Sequence, residues 1–269
     1  MSAAGLPSAL ARRYARLRRD LAAMDRVLVA FSGGVDSTLL LKTASDVLGN
    51  KVLAVTASAE IHPRWEVEEA AGFARKTGVK HKIVRIKALA EPGIAANPPD
   101  RCYHCKRFIF SRLLEIARRE DIRHVLDGTN ADDRSDFRPG ERALRELGIE
   151  SPLRKAGLTK KDIRRLSAAL GLPTAGKPSY ACLASRFPYH TELEPKALGM
   201  VEAAEKFLAG LGFRQSRVRH HGPVARIEVE PQRIGELARQ GHQLDDVNAM
   251  IDEQPAVLGL NRLSAGTNF

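Results

Sequence analysis

Arg26–Thr38 reads RVLVAFSGGVDST, and its reading decides the fold. The run RVLVAF is short and continuously apolar from Val27 on, as expected of a strand buried on both faces of a parallel sheet. It passes into Ser32-Gly33-Gly34, and a helix is expected from about Asp36-Ser37. Two glycines let the backbone turn tightly and approach a ligand closely. Free N–H groups and the positive dipole end at a helix start favour an anion. Ser32, Ser37 and Thr38 add hydroxyls. The string is not a Walker A loop, because no Gly-Lys-Ser/Thr closes it. Any three of these residues are equally compatible with a plain turn in which Asp36 caps the helix.

Outward from this stretch, strand and helix patterns alternate. KVLAVTA and KHKIVRI read as the second and third strands, with a helix between them from Pro63 to Gly78. A loop rich in Pro and Gly leads to DRCYHCK, with a helix expected near Cys105–Arg119, and RHVLDGTNADD is a strand that stops in a polar turn. Alternation with short connections predicts an α/β fold, a doubly wound parallel sheet whose ligands lie beyond the carboxyl ends of the strands. Between Asp132 and His190 the pattern breaks into short basic helices and loops, the kind of stretch that carries function. From Glu194 the texture is that of a smaller α+β domain. It has a helix at PKALGMVEAAEKFLAGLG, two strands at RQSRVRHHG and VARIEVE, a helix at RIGELARQ, a helical stretch near Asp245–Glu253 and a last strand at AVLGL. A boundary near Tyr189–Pro195 gives domains of 1–190 and 191–269.

The chain has 269 residues and a net charge of +11. That excess suits an anionic partner such as a nucleotide, a phosphorylated small molecule or RNA, or a merely soluble surface. No run approaches the ~20 apolar residues of a membrane helix, and the amino terminus has no apolar signal region. Leu10, Tyr14, Leu17 and Leu21 keep helical spacing there. Three cysteines are too few for a closed four-thiolate metal site and odd for a disulfide set, and few cysteines without a signal region point to a reducing cytoplasm. Cys102 and Cys105 form a CxxC; Cys182 is distant. From the residues alone the pair is a zinc half-site, with Cys182 and His104 as further ligands, or a redox dithiol, two unpaired thiols, or part of an iron–sulfur site. Asp127, Asn130 and Asp132 follow a strand's carboxyl end, where ligand residues belong. Arg217 and Arg219 alternate along one strand and share a face. Arg186 is another anion candidate, and the loop pair His220-His221 reads as exposed.

SGGVDST resembles the PP-loop of the ATP pyrophosphatase superfamily. With it, NPPDRCYHCK, LDGTNADDRSDFRPGERALRELGIESPL, GLPTAGKPSYACLASRFPYHTELEPKAL and RVRHHGPVARIEV resemble the LarE family along nearly the whole chain. The resemblance implies an ATP-dependent sulfurtransferase that adenylates the carboxylates of a pyridinium mononucleotide, releases pyrophosphate and replaces AMP by sulfur. It implies ATP held by Ser32, Gly33, Gly34, Asp36 and Ser37, adenosine near Thr56, Ala57 and Ser58, and Mg²⁺ for the pyrophosphate charge. It places Arg217 and Arg219 at the nucleotide phosphate or a similar anion. It implies a homo-oligomer and a small-molecule substrate, with the sulfide source open. In one version of the family a single cysteine matching Cys182 gives up its own sulfur. In the other, three cysteines matching Cys102, Cys105 and Cys182 hold a 4Fe-4S cluster with one iron open for a transferable sulfide. The rival reading is a PP-loop tRNA thiolase with a three-cysteine cluster, which the charge would suit. The RVRHHGPVARIEV block favours the first reading, and no RNA-binding module is recognised.

Overall fold

The computed structural model describes residues 6–134, 139–222, 224–239 and 259–262. The chain forms two compact units, Met1–Ala88 with Asp100–Tyr180, and Leu89–Pro99 with Ala181–Phe269. In chain order the elements are α1 (Ser8–Ala22), β1 (Val27–Ala30), α2 (Val35–Leu48), β2 (Val52–Ala59), α3 (Arg64–Thr77), β3 (Lys80–Ile86), α4 (Pro92–Ala95), α5 (Arg101–Arg119) and β4 (His124–Leu126). They continue with α6 (Pro139–Glu146), α7 (Pro152–Lys155), α8 (Lys160–Ala169), α9 (Pro195–Gly210), β5 (Arg217–His221), β6 (Val224–Val229), α10 (Ile234–Arg239) and β7 (Gly259–Arg262).

The first unit is the expected α/β layer. Its sheet has the order β3-β2-β1-β4, and every pairing is parallel. β1 pairs with a strand along each edge and is buried on both faces, which is why its side chains are apolar without alternation. The chain leaves β1 for β2 on one side and later returns with β4 on the other. The strand order therefore reverses at β1, and ligands in such sheets bind at that point. Leu10, Tyr14, Leu17 and Leu21 of α1 are all buried and pack with Leu39, Leu40 and Leu41 of α2. β3 is an edge strand, and its exposed Lys80, Ile83 and Arg85 break the pattern of the inner strands.

Differences from expectation are local. The helix expected near Cys105 begins at Arg101, so both cysteines of the CxxC lie on α5, not before it. The stretch expected to hold short basic helices and loops contains α6, α7 and α8. α8 starts where Thr159 and Asp162 form a reciprocal capping box.

In the second unit, β5 and β6 pair antiparallel and β7 lies parallel to β6. Ala225, Ile227 and Val229 of β6 share a small core with Val218 of β5 and with Ala204 and Leu208 of α9. The last strand runs from Gly259, and residues 256–258 of the expected AVLGL strand lie outside the described residues, as does the helical stretch near Asp245–Glu253. The segment 89–99 joins this unit through Asn97. Its carbonyl accepts from the His190 N–H at 2.9 Å, and its Nδ2 donates to the Pro188 carbonyl at 2.8 Å. Among the described residues no helix is long and apolar enough to cross a membrane.

Gly33 has φ +73°, and a Cβ there would stand 3.1 Å from the Ala70 Cβ of α3. We predict that Gly33→Ala lowers the unfolding free energy by about 1–3 kcal/mol in urea titrations. Gly72→Ala, in the interior of the same α3 with nothing within 4 Å of the added carbon, raises it by roughly 0.5–1 kcal/mol. Equal effects would refute the claim that the loop, and not the helix, demands its glycine.

Candidate functional site

The first group of candidate residues lies at the carboxyl end of β1. Phe31 is pinned to β2 on both sides of its peptide: its N–H donates to the Val55 carbonyl at 2.8 Å, and its carbonyl accepts from Thr56 Oγ1 at 2.7 Å. The chain then turns through Ser32, Gly33 and Gly34, and α2 begins at Val35 with Gly34 as its first cap residue. The Gly34 N–H donates to Ser32 Oγ at 3.3 Å, and Ser32 Oγ lies 3.1 Å from Ser37 Oγ. No side chain caps the helix, so its first N–H groups point at whatever occupies the loop. Asp36 Oδ2 pairs with Lys160 Nζ of α8, whereas its buried Oδ1 has no hydrogen-bond partner among the described residues. Thr38 Oγ1, fully buried, is also unpartnered. Burial pushes the Asp36 carboxyl up, and Lys160 partly offsets that. A hard cation fits the spare Asp36 oxygen, since magnesium prefers one or two carboxylates plus phosphate oxygens.

The other predicted residues of this unit have definite places. Thr56 is buried and its hydroxyl is engaged: having given its one proton to Phe31, it accepts from His81 Nε2 at 2.8 Å. Burial holds the His81 imidazole below its ordinary pKa. Ser58 is half-buried near the end of β2, and Ala57 precedes it. Asp127, just past β4, is buried, with Ser151 Oγ donating to one oxygen at 2.6 Å and Thr129 Oγ1 to the other. Asn130 Oδ1 accepts from the Asp132 N–H at 2.9 Å, a turn-forming role.

Sequence reasoning missed four residues here. Gly128 lets β4's exit press on α2, for a Cβ there would be 3.1 Å from the Ser37 nitrogen. Lys160 stands in the first turn of α8, where a cation opposes the helix dipole; that misplacement was the available signal. Lys177 Nζ donates to the Gly33 carbonyl at 3.2 Å and pairs with Glu69 of α3 at 2.8 Å. Arg164 donates to the Ala175 and Lys177 carbonyls at 2.7 and 2.8 Å, clamping the turn that carries that lysine. No periodic pattern marks either residue.

The cysteines are divided between the units. Cys102 and Cys105 are three residues apart on α5 and so share one helix face; the former is exposed and the latter half-buried. Their spacing suits two ligands of one group. Cys182, half-buried, belongs to the second unit and precedes a single 3-10 turn, Leu183–Arg186. Its carbonyl accepts from the Ser185 N–H at 3.0 Å and from Ser185 Oγ at 2.8 Å, which fixes its backbone. Among the described residues no group of three or more His, Cys, Asp or Glu is arranged to hold a metal ion.

The second unit gathers its arginines on one face of the β5–β6 ribbon. Val218 faces the core, so Arg217 and Arg219 face away from it, opposite Glu228 and Arg226 of β6. Arg219 Nε donates to Glu228 at 2.7 Å. Arg186 is only 2% exposed and makes a two-pronged pair with Glu205, at 2.6 and 3.1 Å. Arg217 differs: half-buried on β5, its side chain has no hydrogen bond or ion pair among the described residues. Burial, then the like charges of Arg186 and Arg219, draws its pKa below the ordinary guanidinium value. A cation so disfavoured, with neighbours already committed to carboxylates, is suited to an incoming anion. His220 stacks on Phe187 at 5.0 Å.

These positions can be set against known proteins. Residues 26–97, which contain β1 to β3 and the loop, match the queuosine biosynthesis protein QueC family. An uncharacterized protein of Synechocystis sp. is 41% identical, over 83% of this chain and 83% of its own. The pyridinium-3,5-bisthiocarboxylic acid mononucleotide synthase of Lactiplantibacillus plantarum is 42% identical, over 85% of this chain and 83% of its own. An uncharacterized protein of Methanocaldococcus jannaschii is 29% identical, over 87% and 83%. With a glycine-serine loop at the strand-order reversal of a parallel sheet, and a likeness to the synthase over most of both chains, this protein belongs to the LarE family of PP-loop enzymes.

Proposed function

We propose that the chain is an ATP-dependent sulfur-insertion enzyme that turns the carboxylates of a pyridinium mononucleotide into thiocarboxylates. The observation that carries the reading is the loop Ser32–Ser37, with its uncapped helix start, spare Asp36 oxygen and unpartnered Thr38 hydroxyl. Backbone N–H groups and the hydroxyls of Ser32 and Ser37 hold the β- and γ-phosphates, and adenosine lies toward Thr56 and Ser58. Mg²⁺, taken by Asp36 and the phosphates, would neutralise the charge that builds on pyrophosphate. A substrate carboxylate oxygen attacks the α-phosphorus. The bond from that phosphorus to the bridging oxygen breaks, and its electron pair leaves with pyrophosphate. Sulfide then attacks the acyl carbon, and AMP leaves with the electrons of the carbon–oxygen bond. Asp127, held by two hydroxyls, stiffens the floor at the end of β4 beside α2.

The second unit, by this reading, binds the mononucleotide and carries the contacts of a homo-oligomer. Arg217 takes the phosphate, while Arg219 and Arg186 hold the ribbon and the Cys182 turn in place. Cys102, Cys105 and Cys182 would together hold a 4Fe-4S cluster, which supplies an iron without a protein ligand for the sulfide to be transferred. The thiolates stay available in a reducing compartment. Support comes from the CxxC on one face of α5 and from the fixed backbone of Cys182.

Three measurements test the proposal. Asp36→Asn is expected to slow pyrophosphate release from ATP and substrate by about 100-fold or more, and Gly34→Val to abolish it; wild-type rates in both would remove the PP-loop assignment. Arg217→Gln is expected to raise KM for the mononucleotide roughly tenfold with KM for ATP held, and a shift confined to ATP would reassign Arg217. Protein purified without oxygen is expected to contain iron and acid-labile sulfide with a brown absorbance that Cys182→Ala loses together with sulfur transfer. Zinc in place of iron, or a brown and fully active Cys182→Ala enzyme, would sink the cluster.

A further inference from the structure

Lys177 combines a bond to the loop, an ion pair and a ring contact. Its ammonium, with its side chain only 12% exposed, donates to the carbonyl of Gly33 inside the phosphate loop. It also lies 5.4 Å from the centre of the Trp65 ring, on its face. The Trp65 ring is itself braced edge-on by Tyr180, at 4.8 Å between centres. The segment that presents the lysine is held by hydrogen bonds. Arg164 binds the carbonyls of Ala175 and Lys177, and the Lys177 N–H donates to the Thr174 carbonyl at 3.0 Å. Only one partner is loosely held: Glu69 on α3, whose side chain is 57% exposed. An ion pair with one member in water contributes little and exchanges readily. An ammonium on a flexible stem is a rotatable point charge that can change anionic partners without moving its backbone.

We propose that Lys177 is an exchangeable cation of the phosphate loop, resting on Glu69 and Trp65 in the free protein and moving onto the pyrophosphate group of bound nucleotide. This rests on the PP-loop reading above and adds the residue that grips the leaving group. A doubly charged phosphate is a stronger partner for the ammonium than a solvated carboxylate. The Gly33 carbonyl keeps the ammonium at the loop during the exchange, and Arg164 limits the movement to the side chain. Glu69 is thus a competitor for the ammonium and sets how tightly pyrophosphate binds. Trp65 loses its cation when the exchange occurs, and as the single tryptophan of the chain it reports the event.

The test uses the full-length protein, magnesium pyrophosphate and magnesium ATP, with affinity from calorimetry and Trp65 emission from fluorescence. Wild type is expected to show a saturable emission change with pyrophosphate alone. Lys177→Gln is expected to weaken pyrophosphate roughly tenfold or more and to lose that change, with Lys177→Arg recovering part of the affinity. Glu69→Gln, at an exposed position that tolerates change, is expected to tighten pyrophosphate about threefold by removing the competitor. A purely structural ion pair would move both variants the same way, and that outcome overturns the proposal, as does wild-type affinity in Lys177→Gln or a silent Trp65 at saturation. If wild type binds neither ATP nor pyrophosphate, the PP-loop reading falls and this inference with it. If wild type binds both and only the opposed effects are missing, the inference alone falls.

Discussion

The backbone of Phe31 and Gly33 is the constraint on which the phosphate loop depends. Phe31 is bonded to β2 through both its N–H and its carbonyl, so β1 cannot fray before it turns. Two residues later the chain adopts a left-handed conformation with Ala70 of α3 directly against it. The turn is therefore bounded by a strand on one side and a helix on the other, and α2 has one direction in which to start. β4 closes the remaining side through Gly128, which approaches the Ser37 nitrogen as only a residue without a Cβ can. The loop's polar groups are held in place by apolar packing, and little of its own hydrogen bonding has to be spent on shape. That is why Asp36 Oδ1 and Thr38 Oγ1 can remain unpartnered. Buried polar atoms without partners are costly in a finished core, and here they stand beside a helix start that favours an anion.

How legible was this in the amino-acid sequence? The parallel sheet was, because RVLVAF, KVLAVTA and KHKIVRI carry the strand signal locally and the glycines between strand and helix punctuate it. β3 matches its predicted stretch residue for residue. The start of α5 was not: the expected start falls four residues late, although Asp100 is a residue type that favours an N-cap, because the Pro-rich loop before it hides where the helix begins. Nor was the membership of 89–99 in the second unit. It depends on Asn97, a non-glycine residue at φ +52° whose amide and carbonyl reach residues 188 and 190. Long-range pairings of that kind leave no periodicity.

The site was legible in its loop and much less so in its cations. Ser32 to Ser37 are contiguous, so their joint chemistry can be read off a string. Lys160 and Lys177 reach the same loop from more than a hundred residues away, and what selects them is the position of a helix start and a clamped turn. Arg217 and Arg219 look alike in sequence, two arginines on one strand face. The structure separates them by their partners: Arg219 hydrogen-bonds Glu228, whereas the Arg217 side chain makes no ion pair among the described residues and feels Glu228 and Glu205 only at longer range.

That asymmetry has a physical logic shared by both units. Each gathers several cations, and most are neutralised by a carboxylate of the same unit: Lys160 by Asp36, Lys177 by Glu69, Arg186 by Glu205, Arg219 by Glu228. Uncompensated, such clusters would repel and destabilise the fold. Fully compensated, they would have no attraction left for a nucleotide. The two units resolve this differently. In the second, Arg186 and Arg219 are held by carboxylates, with Arg186 nearly dry, while Arg217 makes no ion pair among the described residues. In the first, the compensation of Lys177 is placed at the solvent-exposed end of its pair, where it is weakest. A rigid, single-cation anion site suits a substrate phosphate that stays intact through the reaction. A displaceable ion pair suits a group that is present only while nucleotide is bound, because the cation is then already on the phosphate before its charge grows.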